Sequence, residues 1–301
     1  MTAIFLTHPQ YQITLQRGLL QIHHPKERTQ LIPWHNLQRL VIGPGITLTS
    51  DVILKLAEKN VELLTLGQQN IVSLNTPSAP NNDIRLQQYA ITRDPACRLR
   101  LQQRLINTRI AHQQALLNHF GLSMPITTQK GSTQQQLMLG EAHHSQHYWQ
   151  QWVTLLSSYG FTGRQRRPPR DPVNALLSLT ATLEEGALAR ALLSEGLDIG
   201  LGLLHCTGYH RQSLVLDVLE LTRVELEMWV INLLLHHTLT EDHFVEHKDL
   251  GCLLNREGQR VFYPAWHRFA KQRAASQQRL ARYCNRIIQR EVRHAAITLV
   301  D

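Results

Sequence analysis

No run in this sequence is apolar for long enough to cross a bilayer, and no two of its four cysteines form a C-x-x-C pair. The first absence excludes a transmembrane helix and the second a zinc ribbon. Cys97, Cys206, Cys252 and Cys284 are widely scattered and read as reduced thiols in the core or on the surface. The opening residues, Met1-Thr2-Ala3-Ile4-Phe5-Leu6-Thr7-His8-Pro9-Gln10, hold no basic segment and no extended apolar stretch. A secretory signal is therefore not expected, and the protein reads as soluble, intracellular and without a membrane partner. Lysine is scarce too: six of the 31 basic residues are lysine, leaving 25 arginines. The planar arginine fork bonds phosphate oxygens bidentately, whereas lysine acts as a point charge. The net charge of +8 is unevenly spread. Residues 256–293 hold ten basic side chains against Glu257 and Glu291, an excess of eight that equals the surplus of the whole chain. Such a surplus points towards nucleic acid, although ribosomal, regulatory and merely basic proteins share it.

The 301 residues are enough for two cores. Residues 1–77 read as a small β-rich domain with one packed helix. Short strands are expected at 3–7, 12–23 (two strands meeting near Arg17-Gly18), 31–33, 39–42, 61–66 and 71–74. Ser50 and Asp51 are N-cap candidates for a helix running to about residue 60. Ser78-Ala79-Pro80-Asn81-Asn82-Asp83 is the clearest linker. Beyond it apolar residues recur at three- and four-residue steps over 84–91, 97–120, 134–158, 174–196, 212–237 and 266–296. The expected fold is α+β: a β-rich N-terminal domain (1–77), a linker (78–83) and a larger all-helical domain (84–301).

Asp217 and Glu220 stand three residues apart, on one face of a helix, among Leu214, Leu216, Val218, Leu219 and Leu221. Two carboxylates so close on a half-buried face need a cation or a base between them. A divalent metal meets that need, and so do salt bridges to Arg211 or Arg223. His205 ends an apolar run twelve residues before Asp217. Alone it reads as a hydrogen-bonded core histidine, and it becomes a ligand candidate because the following turn can bring it over the carboxylates of the next helix. Carboxylate oxygens with one imidazole suit a hard cation such as Mg²⁺ or Mn²⁺. Glu141, early in a helix, reads on spacing alone as a solvated acid near a helix start, no better a candidate than Glu184 or Glu185. His143 and His147 form an i,i+4 pair of the kind that binds zinc, but without the HExxH order. An arginine-dense loop, Arg164-Gln165-Arg166-Arg167-Pro168-Pro169-Arg170, precedes Asp171. Its two prolines stiffen it, which favours a shaped, phosphate-binding surface over a solvated loop. Metal and phosphate together point to phosphodiester chemistry on nucleic acid.

Several ordered motifs resemble the CRISPR-associated integrase family, Cas-one, which acquires spacers. They are Arg167-Pro168-Pro169-Arg170-Asp171-Pro172-Val173-Asn174-Ala175-Leu176-Leu177, then Gly196-Leu197-Asp198 and Gly202-Leu203-Leu204-His205, then Ser213-Leu214 with Asp217 and Glu220. Upstream, Leu137, Glu141 and Tyr148-Trp149 are similar to the family's glutamate-bearing helix; downstream, Gly251-Cys252-Leu253-Leu254 with Glu257-Gly258 is similar to another family segment. The resemblance covers essentially the whole chain. Two departures stand out: Leu139 and Ala142 replace glycines that flank the family's glutamate, and Ala187 stands where many relatives have glutamate.

The resemblance implies one divalent metal, Mg²⁺ or Mn²⁺, held by Glu141, His205 and Glu220, with Asp217 supporting or sharing the site. It implies that a DNA 3′-hydroxyl attacks a phosphodiester at the edge of a CRISPR repeat; the arginine loop, with Arg164, Arg166, Arg167 and Arg170, is placed to hold that DNA near the metal. It further implies a prokaryotic cytoplasmic protein that dimerises through the β-rich domain, for which apolar strands at 40–42 and 63–66 are the expected surface. A small ferredoxin-like partner, Cas-two, would be flanked by two dimers, and a reverse transcriptase is a further candidate partner. Two rival readings share the composition: a stand-alone, structure-selective, metal-dependent DNA endonuclease, and a non-catalytic DNA-binding scaffold whose acids are structural.

Overall fold

The structure, a computed structural model, describes residues 2–6, 9–59, 61–66, 71–74, 82–125, 129–165, 168–205, 208 and 211–298. The chain divides into two compact units, Met1–Ser78 and Ala79–Asp301. Of the expected linker, residues 78–81 lie outside the described residues, and 82 and 83 already belong to a helix.

The first unit contains strands β1 (Thr2–Leu6), β2 (Gln12–Gln16), β3 (Leu19–His23), β4 (Gln30–Ile32), β5 (Leu37–Ile42), β6 (Thr47–Leu48), β7 (Glu62–Leu66) and β8 (Ile71–Leu74), with helix α1 (Ser50–Glu58). They make two four-stranded sheets, in the orders β1-β5-β7-β8 and β4-β3-β2-β6. The β2–β3 hairpin turns at Arg17 and Gly18, both at positive φ (52° and 76°), as a tight right-twisted hairpin requires. Helix α1 starts from Thr49 as N-cap, one residue before the expected candidates; Ser50 and Asp51 lie in its first turn. The core gathers Ile13, Leu20, Leu40, Ile42, Val52, Leu56 and Leu63.

That core corrects the expected self-association surface. Leu40, Val41, Ile42 and Leu63 are buried on the two central strands of their own sheet. Each contributes on the order of 1.5–3 kcal/mol by burial, so a charge there would unfold the unit before it blocked any partner. Among the described residues the exposed large apolar side chains of this unit are instead Phe5 on the edge strand β1, Leu31 on the edge strand β4, and Ile53 and Leu54 on α1.

The second unit is built from α2 (Asn82–Arg93), α3 (Pro95–His119), α4 (Gln134–Leu156), α5 (Pro172–Ser194), α6 (Ser213–Leu235) and α7 (Arg256–Thr298). Sequence sets several starts. Asp94 accepts from the backbone of Ala96 (2.9 Å) and Cys97 (3.2 Å) with Pro95 at the first helical position, and Asp171 caps Asn174 (2.8 Å) ahead of Pro172. Helices α5 and α6 lie at the centre, against α3 and α7, over a core that includes Leu188, Leu192, Val215 and Leu219. A second, aromatic-rich core contains Tyr148, Trp152, Phe161 and Phe262.

Two features depart from the helical reading. A hairpin, β9 (Phe244–His247) and β10 (Gly251–Leu254), sits between α6 and α7. Helix α7 begins ten residues before the expected residue 266 and carries Pro264 within it. Asn255 starts it by accepting from Gly258 N at 2.9 Å. Glu184 also finds its explanation here. It is fully buried and accepts from Arg273 Nη2 (2.7 Å) and Gln277 Nε2 (2.8 Å), so it ties α5 to α7. Among the described residues no helix is long and apolar enough to cross a membrane.

Candidate active site

Helix α3 presents Leu105, Ile106, Arg109, Ile110 and Gln113 to the interior, so a guanidinium interrupts an apolar stripe. A buried cation needs partners. Arg109 Nη1 donates to Glu141 Oε1 of α4 at 2.6 Å, and Arg109 Nε lies 3.1 Å from Glu220 Oε2 of α6. The second contact is close but off the hydrogen-bond line, leaving both atoms buried, charge-compensated and without a hydrogen bond. Glu220 Oε1 accepts from Arg223, one turn along α6, whose Nε lies 3.7 Å from Glu227. Glu227 in turn accepts from Tyr148 Oη of α4 at 2.5 Å. The result is a buried row in which acids and guanidinia alternate, from Glu141 through Arg109, Glu220 and Arg223 to Glu227, with Tyr148 at the end.

Burial works to raise the Glu220 carboxyl, but the guanidinium charges of Arg223 and Arg109 outweigh it and hold the group at about 2. Glu227, deeper, behaves oppositely: burial pushes it up despite Arg223 and the hydrogen bond from Tyr148. Burial, then the neighbouring Glu227 charge, pushes the Tyr148 hydroxyl well above its ordinary range.

Asp217 has a different task. Its Oδ2 accepts from Leu203 N (2.5 Å) and Leu204 N (3.0 Å), and its Oδ1 from His205 N (2.9 Å) and His205 Nδ1 (2.7 Å). Both oxygens are thus engaged in folding the 203–205 segment over α6 and in gripping the imidazole. A neutral His205 that donates through Nδ1 keeps its lone pair on Nε2. Of the sequence candidates, the fold therefore pairs Glu141 with Glu220 through Arg109, and His205 with Asp217. His205 lies near enough to Glu220 for a charge on its ring to lower that carboxyl. The side chains of Glu141 and His205 are 18% and 23% exposed, against 7% for Glu220, so the row opens to solvent on their side.

The donor set fits a hard divalent cation: an oriented imidazole nitrogen, a partly exposed carboxylate and a buried carboxylate oxygen with no hydrogen bond. As they stand the side chains are not gathered around one point; among the described residues no three His, Cys, Asp or Glu side chains converge on a metal position. Arg109 stands between the two glutamates instead.

The loop before α5 is held from three sides. Asn174 donates to Gly163 O (2.8 Å) and Asp171 Oδ2 (2.6 Å) and accepts from Gln165 N (2.8 Å). On the other flank Cys252 N donates to Pro169 O at 2.8 Å. Gly251, at φ 78°, lets β10 come this close, since a Cβ there would fall 2.1 Å from Pro169 O. Arg164 turns inward, donating to Asn174 Oδ1 (2.7 Å), Gln165 O (2.8 Å) and Ser178 Oγ (3.2 Å). Arg170 is exposed; Arg166 and Arg167 lie outside the described residues, as does Cys206.

Sequence reasoning missed Arg109 and Glu227. The signal was available in each case, a charged residue at an interior position of an apolar helical stripe. In the histidine cluster, His143 and His147 are exposed while His144 is buried 3.1 Å from Gln113 Oε1. Burial, then the Arg109 charge, lowers His144 to about 4. The unfolded chain therefore takes up a proton between about pH 6.5 and 4 that the folded chain refuses. That stability is fully present above pH 6.5 and is lost as pH falls towards 4, by up to about 3 kcal/mol. Urea midpoints at pH 7 and 4.5 should show the loss, and His144→Gln should reduce it. An identical pH dependence in the variant would remove His144 from the account.

The family model for CRISPR associated protein Cas1 matches residues 4–268. The chain is 26% identical over 294 residues to "CRISPR-associated endonuclease Cas1 1" of Thermodesulfovibrio yellowstonii, covering 90% of this chain and 92% of that protein. Among solved structures, a CAS1 protein from Thermotoga maritima aligns with a TM-score of 0.79 over 96% of each chain at 17% identity. A casposase bound to integration product aligns at 0.70 with 19% identity, over 87% of this chain and 80% of that one. A chain of a Cas6-RT-Cas1–Cas2 complex aligns at 0.72 with 20% identity, over 96% of this chain and 35% of that one. At these identities the structural likenesses establish a shared fold.

Proposed function

The chain belongs to the Cas1 family of CRISPR-associated proteins, and we propose that it is a metal-dependent DNA-joining enzyme of spacer acquisition. The observation that supports this reading is that Arg109 links Glu141 to Glu220 while Asp217, one turn before Glu220 on α6, grips His205. Glu141, Glu220 and His205 Nε2 would hold Mg²⁺ or Mn²⁺, which supplies Lewis acidity at a phosphodiester. Asp217 sets the ring of His205 and is better placed to orient that ligand than to bind the metal itself, because its oxygens already serve four donors. Arg223 keeps Glu220 ionised in the interior. Arg109 sits where it can exchange a carboxylate for a phosphate oxygen.

In the proposed step a DNA 3′-hydroxyl oxygen forms a bond to phosphorus at a repeat end while the bond to the former strand breaks. One proton leaves the attacking hydroxyl and one is gained by the departing oxygen, so the exchange needs no cofactor energy. Tyr148 is no alternative nucleophile, since it is fully buried and donates to Glu227. Arg170, with Arg166 and Arg167, would meet DNA, while Arg164 shapes the loop that carries them.

Joining at both repeat ends needs two sites at a fixed separation, which a symmetric assembly provides. The reading is a homodimer through the N-terminal unit, with the exposed Phe5, Ile53 and Leu54 as the surface. Cas-two would separate two such dimers. That one structural relative is a chain of a Cas6-RT-Cas1–Cas2 complex supports these partners, with a reverse transcriptase as an optional addition.

The test is to incubate protein, Mn²⁺, a 3′-hydroxyl duplex and a plasmid carrying a repeat. Joined product is expected, with paired joining only after the small partner is added. Cleavage without joining would replace the proposal with a stand-alone endonuclease, and neither product would leave a DNA-binding scaffold.

A further inference from the structure

We infer that the outer face of α7, from Arg268 to Arg293, binds the phosphate backbone of duplex DNA. The inference rests on the reading that DNA is the substrate, and it adds a surface that lies almost wholly beyond the family match, which ends at residue 268.

Arg268, Arg279, Arg282, Arg286, Arg290 and Arg293 are all exposed. Their steps of eleven, three, four, four and three keep them on one side of a helix with 3.6 residues per turn. The opposite side is occupied by Arg273, Gln277, Ala281 and Ile288, all buried. The acid of this segment, Glu291, is off the stripe and turned to Arg100 at 3.2 Å. Arg279, Arg286 and Arg293 have no ion pair among the described residues. Arg282 reaches Glu195 at 3.4 Å while 62% exposed, a surface pair worth no more than about 1 kcal/mol and easily exchanged for a phosphate. Among the described residues Arg279, Arg286 and Arg293 thus leave positive charge on this side of the helix that no acid pairs with.

A membrane is a poor occupant, because the apolar side of this amphipathic helix is already in the core and cannot enter lipid. A single strand is also a poor one, since such sites stack bases on rows of exposed aromatic rings. The stripe offers Tyr283, whose hydroxyl accepts from Arg104 Nη2 (2.5 Å) with that guanidinium 5.8 Å from the ring centre. A rigid row of charges suits a rigid row of phosphates. Its length, roughly 37 Å at 1.5 Å per residue, matches about eleven base pairs. The contacts of Arg100 with Glu291 and of Arg104 with Tyr283 also set α7 beside α3, along which Arg109 lies roughly 14 Å from Arg100. Duplex held on α7 would therefore run close to the candidate site.

The test measures the affinity of a long random-sequence duplex between 50 and 200 mM salt for the full chain and for Arg279→Gln/Arg286→Gln/Arg293→Gln. These side chains are exposed, so the variant should keep its melting temperature. If each meets a phosphate, the slope of log affinity against log salt shrinks by roughly 2.7, and the parent chain loses roughly 40-fold more affinity across that range than the variant. The corresponding triple lysine variant should retain the parent slope. An unchanged slope in the folded glutamine variant overturns the inference. So does a loss seen with phosphatidylserine vesicles but not with duplex. A parent chain that binds duplex through this face yet neither joins nor cleaves would defeat the proposed function and leave the stripe intact.

Discussion

Alanine at Glu141 or His205, and glutamine at Glu220, should each lower strand joining by roughly 10³-fold or more, corresponding to about 4 kcal/mol of transition-state stabilisation supplied through a bound metal. Duplex affinity should change little, because these substitutions remove no arginine and leave the proposed phosphate contacts in place. Glutamine is the better probe at Glu220, since alanine would leave Arg109 and Arg223 facing a hole as well as an absent charge. Asp217→Asn should be milder in joining, about 10–100-fold, as befits a residue that orients a ligand. It should also weaken Mn²⁺ affinity measured by calorimetry, a change that a purely structural turn would not produce. Folded Glu141→Ala and Glu220→Gln proteins that join at the parent rate would end the assignment.

Arg109→Leu should destabilise the second unit by about 3–5 kcal/mol, because it strands the charge of Glu141 and halves the compensation of Glu220. For a unit of this size that corresponds to a melting temperature lower by on the order of 10 °C. If the glutamates are metal ligands, Mn²⁺ should raise the melting temperature of Arg109→Leu more than that of the parent, since the ion would restore the missing positive charge. The sign with pH follows from Glu220, whose carboxyl is held at about 2 in the folded chain. Its contribution is present above the unfolded value near 4.3 and is lost as pH falls towards 2. The gap between variant and parent should therefore narrow in acid. A loss under 1 kcal/mol at neutral pH would mean that the row is solvated rather than buried.

Much of this was readable from residue order. Short strand-forming runs and the Arg17-Gly18 turn marked the first unit, and three-to-four-residue periodicity marked the helices, because local backbone chemistry and amphipathicity act within a few residues. The adjacency of Asp217 and Glu220 followed from helical spacing alone. The resemblance, not spacing, chose Glu141 over Glu184, and the fold gives the two different surroundings: Glu184 points into a buried tie with Arg273, whereas Glu141 sits at the solvent edge beside Arg109. The self-association strands were misplaced for the same reason, since an apolar run looks alike whether it packs inward or outward. Pairings across long separations, such as Arg109 with Glu141 or Tyr148 with Glu227, have no local signature. They arise because desolvated charges must find partners wherever packing brings them, and that choice is made by the tertiary structure.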